Sequence, residues 1–83
     1  MTDNAYVFIN VAMGKMDDVM EVLKTIEDVK RVDVVYGVYD IVVLIESESM
    51  EKLNETVSWH IRRLQHVDAT LTSVSTQTWA RQP

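Results

Sequence analysis

The chain has 83 residues, a formal net charge of −5 and no cysteine. That length suits one domain, and the missing cysteines close the disulfide and zinc–thiolate routes by which small domains supplement a thin core, leaving oligomerisation as the expected supplement. Thirteen acids against eight bases offer no basic face to nucleic acid or to an anionic membrane, and no apolar run approaches the roughly 20 residues of a membrane span.

Ala5–Met13 is rich in β-branched and aromatic residues and reads as a first strand. It follows Asp3 without a basic leader, so it is not expected to be a signal peptide, and a cytoplasmic protein is expected. After Gly14 the period changes: Met16, Val19, Met20, Leu23 and Ile26 share one helical face, which predicts a helix from about Lys15 to Asp28. Val32–Tyr36 and Tyr39–Ile45 read as two strands joined by a short hairpin, with Gly37 expected to take a positive φ in the turn. Ser49 or Ser47 is positioned to cap a second helix, whose stripe is Met50, Leu53, Val57, Ile61 and Leu64. Val67 to about Trp79 reads as a fourth strand, and Ala80–Pro83 as a frayed tail.

The order βαββαβ predicts an α+β fold, the ferredoxin-like plait: a four-stranded antiparallel sheet with both helices on one face. Both faces of that sheet are apolar. In the first strand Ala5, Val7, Ile9 and Val11 alternate with Tyr6, Phe8 and Ala12; in the third, Ile41, Val43 and Ile45 alternate with Val42 and Leu44. Two helices cover only one face, so a dimer packed through the sheet is expected, with Tyr6 and Phe8 in its interface. Trp59 falls nearly opposite the apolar stripe of the second helix. It is either an interface residue or a ring lying on its own helix under Arg63. His60, at the edge of that stripe, is expected to be packed.

The segments Ala5–Val11 with Gly14–Lys15, Val34–Val43 and Ile61–Thr72 carry a resemblance. The sequence resembles a stand-alone RAM domain, the effector-binding half of the Lrp/AsnC (feast/famine) transcription regulators, over Ala5 to about Thr76. The Gly37-Val38-Tyr39-Asp40 element is the most specific part. The resemblance implies a single domain over 1–83, with its core at about residues 5–79. It also implies dimerisation through the sheet, assembly of dimers into rings, and small molecules, typically amino acids, bound in clefts between dimers. Gly37, Val38, Tyr39 and Asp40 would form one wall of such a cleft, with the Asp40 carboxylate on an α-ammonium group; Thr70 and Thr72 would form the other. The helix-turn-helix domain that usually precedes the module is not expected here. The chain would therefore not bind DNA directly, and full-length relatives become candidate partners for co-assembly. The family's usual glycine before the valine that opens strand four is replaced by His66, which would crowd the cleft, sense pH, or be a solvated loop histidine.

No enzyme is expected. Neither glycine has a second within five residues, so no phosphate loop exists, and the serines lack a nucleophile-elbow setting. The acid pairs Asp17–Asp18 and Glu46–Glu48 sit where helices begin, which accounts for them without a metal; no cofactor is expected. Two alternatives share the fold. Asn10, Trp59 and His60 or His66 loosely resemble the set used by small dimeric monooxygenases, and Gly14 alone would represent the loop of an ACT-like amino-acid sensor.

Overall fold

The computed structural model describes residues 2–82. Strand β1 (Asp3–Val11) is followed by α1 (Met16–Leu23), β2 (Val29–Val34), β3 (Ile41–Ser47), α2 (Met50–Glu55) and β4 (Val67–Val74); α2 runs without a break into a π-helical stretch, Thr56–Ile61. All strand pairs are antiparallel, in the order β2-β3-β1-β4. This is the expected ferredoxin-like plait. The two most apolar strands take its centre because only there are both neighbours and the helix layer available to them. Ala5, Val7 and Ile9 stand in register with Ile45, Val43 and Ile41. All six are fully buried, beneath Val19 and Leu23 of the first helix and Leu53, Val57 and Ile61 of the second. Each large aliphatic side chain so buried contributes about 1.5–3 kcal/mol.

The boundaries differ from the sequence reading for identifiable reasons. β1 starts at Asp3 and stops at Val11, leaving Met13 fully exposed. Ala12 N–H turns away to the carbonyl of His66 (2.8 Å), and Gly14 takes the left-handed turn at φ 79°. α1 ends at Leu23, well short of Asp28. The Thr25 hydroxyl donates to the Val22 carbonyl (2.7 Å) and Ile26 N–H to that of Leu23 (3.2 Å), which closes the helix. β2 begins at Val29 and ends at Val34, and β3 runs Ile41–Ser47, so the connection Val35–Asp40 is longer than a short hairpin. Gly37 does not take a positive φ there, contrary to expectation. β4 stops at Val74, five residues before Trp79. The tail expected at Ala80–Pro83 is described only as far as Gln82.

Ser49 is the cap of α2, its Oγ accepting from Lys52 N–H at 3.1 Å. Ser47, the other candidate, instead donates to Asp28. This aspartate, 6% exposed, accepts at Oδ2 from Ser47 Oγ (2.7 Å) and Thr56 Oγ1 (2.9 Å), and so clamps the entrance of β2 to the end of β3 and to the second helix. Burial alone raises a carboxyl pKa. Here the Ser47 and Thr56 hydroxyls, with the charges of Lys52 and Lys30, outweigh it and hold the Asp28 pKa below its usual value.

Among the described residues no helix covers the far side of the sheet. Tyr6, Phe8, Val42, Leu44 and Leu71 lie there, as the register pairs Tyr6 with Leu44 and Phe8 with both Val42 and Leu71. Tyr39, read as the first residue of the third strand, lies before β3, and its ring meets Phe8 with centroids 5.6 Å apart.

Candidate functional site

The connection Val35–Asp40 is pinned to β1 rather than left free. Asn10 Nδ2 donates to the Val38 carbonyl (3.0 Å), Asp40 N–H to the Ile9 carbonyl (3.0 Å), and Val35 N–H closes the loop on the Asp40 carbonyl (3.0 Å). The Asp40 carboxylate takes Val11 N–H on Oδ2 at 2.8 Å, where the β1–β4 register shifts between Asn10 and Val11. A shift of register strands a backbone donor, and a half-buried carboxylate satisfies it. Asp40 therefore has a structural bond on one oxygen. Around this frame Tyr36 and Val38 stand almost wholly in solvent.

Gly37, Val38, Tyr39 and Asp40 are thus brought together, as contiguous residues of one braced loop. Thr70 and Thr72 are placed elsewhere. They pair with Ile9 and Val7, which puts them on the helix side of the sheet. There they line a cleft of about 300 Å³ with Asn54, Val57, Ser58 and Arg62. The loop is not part of that lining, so one site uniting the two groups needs residues of more than one chain. Sequence reasoning missed Arg62 as a wall of this cleft, because a helix-surface arginine carries no local signal. It also gave Asn10 to the monooxygenase alternative.

Within one chain Asn10 and Trp59 of that alternative are not brought together. Asn10 alternates with buried Ile9 and points to the open face, where it holds Val38, whereas Trp59 and His60 belong to the helix layer on the other side. Trp59 is 58% exposed and lies under Arg63, whose Cζ is 3.9 Å from the ring centroid. The second of the two readings of Trp59, a ring stacked on its own helix, is the arrangement seen in the chain. His60 is exposed, not packed. His66 is half-buried and adopts φ 72°. Among the described residues no cluster of three or more His, Cys, Asp or Glu is arranged to hold a metal, and no helix is long and apolar enough to cross a membrane.

The model of the Lrp/AsnC ligand binding domain matches residues 4–83. The chain belongs to the Lrp/AsnC ligand-binding domain family. Several solved structures are similar to it. FFRP-DM1 is 32% identical, with a TM-score of 0.85 over 88% of this chain and 97% of its own. A hypothetical protein of Pyrococcus horikoshii, PHS023, is 31% identical, with a TM-score of 0.84 over 94% and 93%. The feast or famine regulatory protein Rv3291c of M. tuberculosis, solved in complex with L-methionine, is 25% identical; its TM-score is 0.77 over 95% of this chain but 53% of its own. This chain thus covers nearly the whole of two of these solved chains and about half of the third, a longer regulatory protein. No curated protein matches the sequence.

Proposed function

We propose that this Lrp/AsnC domain is a cytoplasmic, non-enzymatic sensor of a small effector of the amino-acid class. In this reading it dimerises through the open face of its sheet and assembles further. The effector binds between dimers, against Gly37, Val38, Tyr39 and Asp40 of one chain and Thr70 and Thr72 of another. Occupancy is passed to transcription through co-assembly with full-length relatives, whose corresponding domains offer the same surfaces.

The observation that carries this reading is Gly37. The turn does not use its conformational freedom, and a Cβ built on it would meet nothing within 4 Å in the chain. Folding therefore makes no demand for glycine at that position, whereas close approach of a ligand does. The braced loop supports it too, because a site is sharper when its frame is fixed by bonds to a central strand. The L-methionine complex of the M. tuberculosis relative adds the effector class.

Light scattering after size exclusion, with each of the twenty amino acids in turn, tests the reading. The expected result is a discrete oligomer whose mass or thermal midpoint responds to one of them. Gly37→Ala should keep the wild-type midpoint and lose the response. Asp40→Asn, which retains an acceptor for Val11 N–H, should lose it as well. An oligomer indifferent to all twenty would refute the amino-acid assignment.

A further inference from the structure

At the end of the sheet opposite the Gly37–Asp40 loop, a cleft of about 310 Å³ opens between the α1–β2 connection and the second helix. The length of β3 separates the two places, about 20 Å at roughly 3.3 Å per residue. Asp28 forms the floor. Its Oδ2 is saturated by Ser47 and Thr56, but its Oδ1 has Lys52 Nζ at 3.7 Å, too far for a hydrogen bond. That oxygen opens to the cleft, where its one charged neighbour is the half-exposed Lys52 ammonium, so it keeps room for a further donor.

The walls are chemically mixed. Thr25, Ile26 and Glu27 stand on one side; Lys52, Thr56 and His60, four residues apart, form a single row on the other. The row crosses from α2 into the π-helical stretch, marked by Arg62 N–H donating five residues back to the Val57 carbonyl at 2.9 Å. Such stretches are rare and concentrate at functional sites. A simple cation entering here would face Lys52, and a simple anion would face Asp28 and Glu27. A molecule bearing both charges satisfies both walls at once.

We propose that this cleft binds a small zwitterion of the α-amino-acid class within a single protomer, its ammonium on Asp28 and its carboxylate on Lys52 and His60. The site shares no residue with the effector site between dimers, and it does not rest on that reading. It needs no second chain, so it is available before assembly.

The test is a ¹⁵N-labelled NMR titration of the full chain with each of the twenty L-amino acids at millimolar concentration. At least one should shift the amides of Thr25–Asp28 and of Lys52, Thr56 and His60. Its N-acetyl derivative and its methyl ester should each bind about tenfold more weakly, since each removes one charged partner. His60→Gln, at the exposed rim, should weaken binding about tenfold at an unchanged thermal midpoint. Lys52→Gln should weaken it similarly but also lower the midpoint, because it removes a charge beside Asp28. Gly37→Ala should leave these shifts intact. Shifts confined to Gly37–Asp40 and Thr70–Thr72 would overturn this inference and leave the effector site between dimers standing. Cleft shifts that survive Gly37→Ala, without any at the loop, would do the reverse. No shift at the cleft with any of the twenty overturns it outright.

Discussion

His66 sits in the left-handed region at φ 72°, between the second helix and β4, at the position where the resemblance leads one to expect glycine. A side chain there costs about 1–2 kcal/mol, because its Cβ crowds the following carbonyl oxygen. His66→Gly should therefore stabilise the fold by about 0.5–1 kcal/mol, part of the relief being offset by the freer unfolded chain; a lower midpoint in thermal denaturation would contradict this. Gly14, at φ 79°, runs the other way. No atom stands within 4 Å of its would-be Cβ, so the cost of Gly14→Ala, about 1–2 kcal/mol, is purely one of backbone conformation. These two positions show what one sequence cannot disclose about backbone. Gly37 looked like the turn glycine and is not, while the residue that does bend the left-handed way near strand four is a histidine. Residue type reports the ease of a conformation, whereas its use is set by what the neighbouring elements require.

Between elements, the Asp28 clamp joins β2, β3 and the second helix through two hydroxyls. Thr56→Val keeps the shape and deletes one donor to a buried carboxylate, so it should destabilise the chain by about 1–3 kcal/mol in denaturant titration. The clamp also gives stability a pH dependence. The folded pKa of Asp28 lies below its unfolded value near 3.8, so the contribution is fully present above that value and is lost as pH falls through the folded pKa. Midpoints measured from pH 6 downward should drop on the acid side of about 4, and Asp28→Asn should remove that part of the slope. The apolar stripe of the second helix was legible, since Leu53, Val57 and Ile61 are buried as their spacing implies. The burial of Thr56 was not. Leu53, Thr56 and Val57 stand at i, i+3 and i+4, one face of an amphipathic helix, but a threonine does not read as core when only apolar residues are counted. Likewise Asp28 looked like the end of a helix, because the partners that draw it inward, Ser47 and Thr56, are 19 and 28 residues away.

For the molecule as a whole, the alternation of apolar residues on both faces of β1 and β3 is the feature that sequence conveyed best. One face became the core, as the full burial of Val7 and Val43 shows. The other is left with Tyr6, Phe8, Val42, Leu44 and Leu71 and no helix of its own. Thr70 and Thr72 were harder to place, because an expectation about a cleft between chains says nothing of which face of its own sheet a strand residue takes. Leu71 is the residue with which to question the open face. It is 50% exposed and pairs with Phe8 from the edge strand, so in a lone chain Leu71→Glu disturbs little packing and should leave secondary structure intact. In a sheet-to-sheet dimer the same change buries a carboxylate against an apolar partner, a cost of several kcal/mol that a small interface does not absorb. Light scattering should then show the variant at the 9.6 kDa of one chain where the wild type shows a multiple of it. A variant that keeps the wild-type mass would move the interface off this face. A wild type that is itself monomeric would leave the apolar face to a different partner, and would remove the basis for an effector site built from two dimers.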